Sequence, residues 1–139
     1  MIKRGLFALV SGLVFTAPSI SAREVAPIEK SDIVSIFEVV DAFHSDTRYL
    51  LDSAQTEGFI PLLQNAEVLA LLADEFHFAV YSFAPDSLEA AVKFNDIAGI
   101  FHNIELIVRH EELSLQTRND FEYLKESFGL LLQFYDSLK

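Results

Sequence analysis

From residue 31 onward, apolar residues recur every third or fourth position, in four blocks separated by short breaks. This is the spacing of a helix with one face turned to a core. The first block predicts a helix over 32–55, opened by Ser31 and Asp32, both good N-cap types. Its inner face is Ile33, Ile36, Phe37, Val40, Phe43, Thr47, Leu50 and Leu51, and Gly58 lies beyond its end. Pro61 suits a first helical turn and opens a second helix over 61–84, with Leu62, Ala66, Leu69, Ala73, Phe76 and Val80 inward.

Ala84-Pro85-Asp86 interrupts the pattern, and Asp86 with Glu89 reads as a capping box for a third helix over 86–111. Its seam is narrow: Phe94, Ile97, Phe101, Ile104 and Val108. A fourth helix is predicted over 115–138, with Thr117 and Asp120 as its capping pair. Phe121, Leu124, Phe128, Leu131, Leu132 and Tyr135 form its core face. Strand signals are weak throughout. Four helices of about 24 residues, each about 36 Å long, joined by short connections, predict an all-α fold: an antiparallel up-down-up-down four-helix bundle.

Two of these helices carry more apolar residues than one core face uses. On the second, Leu71 and Phe78 lie nearly opposite the core stripe, with Val68 nearby. On the fourth, Tyr123, Leu130 and Phe134 form a second stripe about 120–140° from the first, at about 100° per residue. Such stripes mark a partner surface, a homodimer contact, or a helix covered on both sides in a less regular bundle. Glu67, Asp74, Glu75, Glu122 and Glu126 flank them, so aromatic anchors would sit inside an acidic rim.

The N-terminal sequence changes the setting. Lys3 and Arg4 precede an almost unbroken apolar run, Gly5 to Phe15, and then small residues to Ala22. That is the layout of a secretory signal peptide, and the run is short for a membrane span. Cleavage is expected after Ala22, with Ser21 as the alternative; an uncleaved anchor is the competing reading. The expected organisation is therefore a signal peptide at 1–22, a flexible lead at 23–30 and a helical domain at 31–139. No later segment is apolar enough to span a bilayer.

The 139-residue chain holds 10 basic and 21 acidic residues, a formal charge of −11. Loss of residues 1–22 removes Lys3 and Arg4 but no acid, leaving 8 basic and 21 acidic residues and a formal charge of −13. Nucleic-acid binding needs clustered cations and is not expected; the same charge disfavours anionic membranes. A basic protein would be attracted. There is no cysteine, which removes thiolate chemistry, iron–sulfur clusters and disulfides from consideration. A periplasmic location is expected, with secretion as the alternative.

DAFH at 41–44 and DEFH at 74–77 are the candidate chemistry. Each puts Asp41 with His44, or Asp74 with His77, on adjacent helix positions. Carboxylate-x-x-His pairs can hold metals in bundles. Counted from the helix ends, however, His44 and His77 differ in level by about six residues, or about 9 Å, against a zinc–imidazole bond of about 2 Å. A di-metal centre also needs inward carboxylates from the other two helices, where Ile97, Phe101, Ile104, Phe121, Leu124 and Phe128 stand instead. His44 is therefore expected as a hydrogen-bonded core histidine and His77 as a boundary residue, with metal binding by Asp41, His44, Asp74 and His77 as the alternative.

No nucleophile elbow, P-loop or dinucleotide fingerprint occurs after the leader. The sole methionine is Met1, which removes His/Met haem ligation. Neither an enzyme nor a cofactor is expected. The sequence points to protein–protein binding: a periplasmic inhibitor or toxin-immunity protein that neutralises a basic toxin or cell-wall hydrolase. Leu71, Phe78, Tyr123, Leu130 and Phe134 would be its anchors, and Glu122 and Glu126 steering charges. A metal- or small-ligand-binding bundle is the second reading and a structural homodimer the third.

Overall fold

A computed structural model describes residues 30–139, with side chains from residue 36. The expected signal peptide and most of the lead lie outside the described residues. Four helices follow one another: α1 (Lys30–Glu57), α2 (Ile60–Ser82), α3 (Leu88–His110) and α4 (Leu115–Ser137). They form a four-helix bundle, with no strand among the described residues. None of these helices is long and apolar enough to cross a membrane.

Each boundary has a local cause, and three differ from the sequence expectation. α1 is already helical at Lys30, so Ser31 and Asp32 lie within it. It ends at Gly58, whose φ of 75° is the left-handed conformation that favours glycine. Pro61 occupies the first turn of α2 as expected. α3 is capped by Ser87, whose hydroxyl accepts from the Ala90 amide at 3.1 Å; Asp86 lies one residue too early. α4 is capped by Ser114, which accepts from the Thr117 amide at 3.3 Å, so Thr117 is inside the helix.

α1 packs against α2 and α4, and α2 against α3, whereas α3 and α4 stand further apart. Aromatic rings fill that wider gap. Phe121, Phe101, Phe128, Phe94 and Tyr135 alternate between α4 and α3 in one column. Successive centroids are 5.5, 4.0, 5.4 and 4.7 Å apart, with the rings near parallel. Seven-residue spacing on both helices keeps these rings on one line. Their size permits the separation, because smaller side chains could not bridge it.

The α1–α4 seam is built differently. Ser127 donates to the buried Asp46 carboxylate at 2.8 Å, and Ser53 donates to Asp120. Thr117 donates to Glu57 at 2.7 Å, joined by the Ser114 amide at 3.1 Å. Thr117, Asp120, Leu124, Ser127, Leu131 and Phe134 thus form one row facing α1, at three- and four-residue steps. Glu57 accordingly satisfies donors at the α4 N-terminus and clips two chain reversals together. The Thr117 hydroxyl first, and then Ser114, hold the Glu57 carboxyl below its usual range. At the opposite end Tyr135 donates to the Pro85 carbonyl at 2.7 Å, and burial pushes its phenol well above the usual value.

This row corrects two assignments on α4. Phe134 is not an exposed anchor: it is 6% exposed and packs edge-on against Tyr135. It ends the row that faces α1. Leu132, expected in the core, lies off both inner rows and is 40% exposed.

Candidate functional site

Two constellations adjoin one another on α2. The first is formed by the D-x-x-H pairs, which the fold brings together across the α1–α2 seam. Phe59 is the centre of the antiparallel turn: Asp41 lies as far before it as His77 lies after it, and His44 and Asp74 are likewise matched. The pairs therefore bond crosswise. His44 Nε2 donates to Asp74 at 2.6 Å, and His77 Nε2 donates to Asp41 at 3.1 Å. Ionised carboxylates only accept, so each Nε2 carries the proton. The two imidazoles stack at 4.5 Å, 22° from parallel.

The expected mismatch of about six residues is thus corrected. α1 runs on to Glu57 and α2 starts at Ile60, and levels matched from Phe59 put the two histidines one helical turn apart. His44 is also not a core residue; its side chain is 30% exposed. Each repeat extends one turn further than the motif, as D-x-x-H-x-x-x-Arg48 and D-x-x-H-x-x-x-Tyr81. Arg48 donates to both oxygens of Asp74 at 2.7 Å, and Tyr81 to both of Asp41 at 2.9 and 3.0 Å. The i+4 positions of Arg48 and Tyr81 were the signal for these partners.

Partial burial raises the Asp74 carboxyl, but the bonds from His44 and Arg48 outweigh it and hold the group below the usual range. Nη2 of the Arg48 guanidinium bridges both oxygens that a cation would need. Among the described residues, no three His or carboxylate groups converge in a geometry that would hold a metal ion. What this arrangement does chemically is lock α1 to α2 and fix Asp74 at the edge of the second constellation.

That second constellation is an open, largely apolar groove of about 600 Å³ between α2 and α3. Phe78, Phe83, Leu88 and Val92 line it; Phe78 is 66% exposed and Leu88 76%. Asp74, Glu75 and Glu89 stand along its edges. Lys93 is the one cation in the lining, and Glu75 holds it at 2.9 Å. Leu71 and Val68 continue the exposed stripe along α2. The sequence located Leu71 and Phe78 but missed Phe83, Leu88 and Val92. Leu88 and Val92 are spaced four apart off the α3 seam, the signal that would have found them.

Tyr123 and Leu130 are exposed on α4, as are Glu122 and Glu126. α2 and α4 are diagonal in the bundle, and they meet in its interior, where the Phe76 ring packs edge-on against Tyr135 at 6.0 Å, rather than along an outer face. The anchors proposed on these two helices therefore belong to separate surfaces. Comparison of the chain with protein-family models, with curated proteins and with solved structures finds no match.

Proposed function

We propose that this chain is a small exported acidic protein that acts by binding another protein, without catalysis of its own. Its target would be a basic effector such as a toxin or cell-wall hydrolase, met in the periplasm or, alternatively, outside the cell. The observation that carries this reading is the α2–α3 groove: large apolar side chains left in water beside carboxylates. Exposed apolar surface of this kind is costly unless something covers it. The leader-like residues 1–22 and the formal charge of −11 support export and attraction of a cationic partner.

A metal-binding role for Asp41, His44, Asp74 and His77 gains juxtaposition from the fold. Arg48 and Tyr81 weigh against it by taking up the carboxylate oxygens. A homodimer through the groove would set two acidic rims against each other. The test is to tag the full chain, express it in its native envelope, and identify what co-purifies at low and high salt. A stoichiometric basic protein weakened by salt is expected; a clean preparation would overturn the reading.

A further inference from the structure

The shape of the groove specifies its occupant more narrowly than the charge of the chain does. A pocket for a small apolar ligand encloses most of that ligand's surface. This one is an open trough between the successive helices α2 and α3, with lining residues on both. An amphipathic helix laid in such a trough buries one face and keeps the other in water. Phe78 and Phe83 near the α2 C-terminus face Leu88 and Val92 at the start of α3, so apolar contacts come from both walls.

Leu71 lies two turns before Phe78 on the same stripe, beyond the groove's own lining, and Leu71 to Ser82 at the end of α2 spans about 17 Å of helix. That length matches three turns of a docked segment. The charge of the edges is equally directive. Lys93 is already paired with Glu75, and Asp74 with Arg48, so no lining cation is free to receive an acidic ligand. Glu89 is exposed on the groove edge, and Asp96 is exposed one turn beyond Val92. A second copy of the chain would bring more carboxylates to this rim.

We infer that the α2–α3 groove receives a single basic amphipathic helix from the partner, with apolar anchors at i, i+3, i+4 and i+7 between Phe78, Phe83, Leu88 and Val92, and lysines or arginines on its flanks facing Glu89 and Asp96. This rests on the protein-binding reading and names the partner segment. The helix would lie along α2 and α3 as a fifth member of the bundle.

The probe is a labelled synthetic peptide of about 18 residues, about 27 Å as a helix, with leucines in that spacing and lysines on both flanks. Its binding to the full chain is followed by fluorescence anisotropy. Two control peptides carry glutamate in place of lysine, or the same residues in non-helical order. The groove variants are Phe78→Glu and Val92→Glu, with Tyr123→Glu on the far helix as reference and circular dichroism confirming the fold of each. Expected is a loss of at least about tenfold in affinity, or 1.4 kcal/mol, for each groove variant and each control peptide, with Tyr123→Glu unchanged. Equal binding of the reordered peptide, or loss with Tyr123→Glu but not Phe78→Glu, overturns the inference.

The same variants are then applied to the protein that co-purifies from the native envelope. A partner kept by Phe78→Glu and lost by Tyr123→Glu leaves protein binding standing and removes the groove as its site. Absence of any bound protein removes the functional reading, while the peptide experiment still decides what the groove accepts.

Discussion

His44 bonds to Asp74 across the α1–α2 seam at 2.6 Å, one helical turn from the reciprocal bond between His77 and Asp41. With Arg48, His44 holds the Asp74 carboxyl below its ordinary range despite partial burial. A carboxylate depressed in the folded state stabilises the fold above its unfolded pKa, about 3.9. That contribution is lost as pH falls through the lower folded value. Asp74→Asn is therefore expected to cost stability at neutral pH and progressively less in acid. Because the site is partly exposed, the loss should stay within about 1 kcal/mol. Denaturant titrations of both proteins at several pH values measure it; a cost independent of pH would contradict the assignment.

The same bonds govern metal affinity. Zinc would have to displace Arg48 from both Asp74 oxygens and separate two stacked imidazoles. Excess zinc is expected to leave the His44 and His77 ring resonances unmoved in NMR spectra. In Arg48→Ala the Asp74 oxygens become accessible, and any zinc response should be larger there than in the parent chain. Strong binding by the parent would restore the metal reading.

The aromatic column between α3 and α4 is the part of the core least able to collapse, because the backbones there are already apart. Phe101 stacks on Phe128 at 4.0 Å and on Phe121 at 5.5 Å. Phe101→Ala is expected to destabilise the protein by about 3–5 kcal/mol, lowering Tm by more than about 10 °C. Phe78→Ala, on the exposed groove wall, should change stability by no more than about 0.5 kcal/mol. Calorimetry on the two variants tests the contrast; equal losses would mean that the groove is part of the core.

The α1–α4 seam makes an expectation of another kind. Ser127 supplies a hydroxyl to Asp46, a carboxylate only 7% exposed. Ser127→Ala removes that donor while leaving the charge in place, at an expected cost of about 1–3 kcal/mol. Pairing Ser127→Ala with Asp46→Asn should yield less than the sum of the two losses, since both act on one bond. Strict additivity in chemical denaturation would show that the bond contributes little.

These contrasts explain what could be read from the chain. The α3 seam and the Phe121–Phe128–Tyr135 line were legible because apolar residues at regular steps have one physical reading. The α1 face of α4 was not, because Thr117, Asp120 and Ser127 look like solvent residues until Glu57, Ser53 and Asp46 are placed opposite them. The caps slipped for a related reason: Asp86, Ser87, Ser114 and Thr117 are all competent cap types, and only the backbone path selects among them. The D-x-x-H pairs were visible as motifs, but their crosswise pairing depended on where the α1–α2 turn is centred. Most of the groove's large apolar lining, Phe83, Leu88 and Val92, was not legible because these residues lie off the periodic core seams.

Phe134 puts that lesson to a direct test. By apolar spacing it belonged with Tyr123 and Leu130 on an outer stripe, yet it continues the row of Leu124, Ser127 and Leu131 and is buried. Phe134→Glu forces a carboxylate into the core, where an unpaired charge is strongly disfavoured. Loss of the cooperative unfolding transition is expected. Leu130→Glu, on an exposed position of the same helix, should keep its helicity and a cooperative transition, with stability within about 0.5 kcal/mol of the parent. Circular dichroism melts of the two variants side by side decide the matter. A folded Phe134→Glu protein would return Phe134 to the surface and turn the inner row of α4 away from α1 at its C-terminal end.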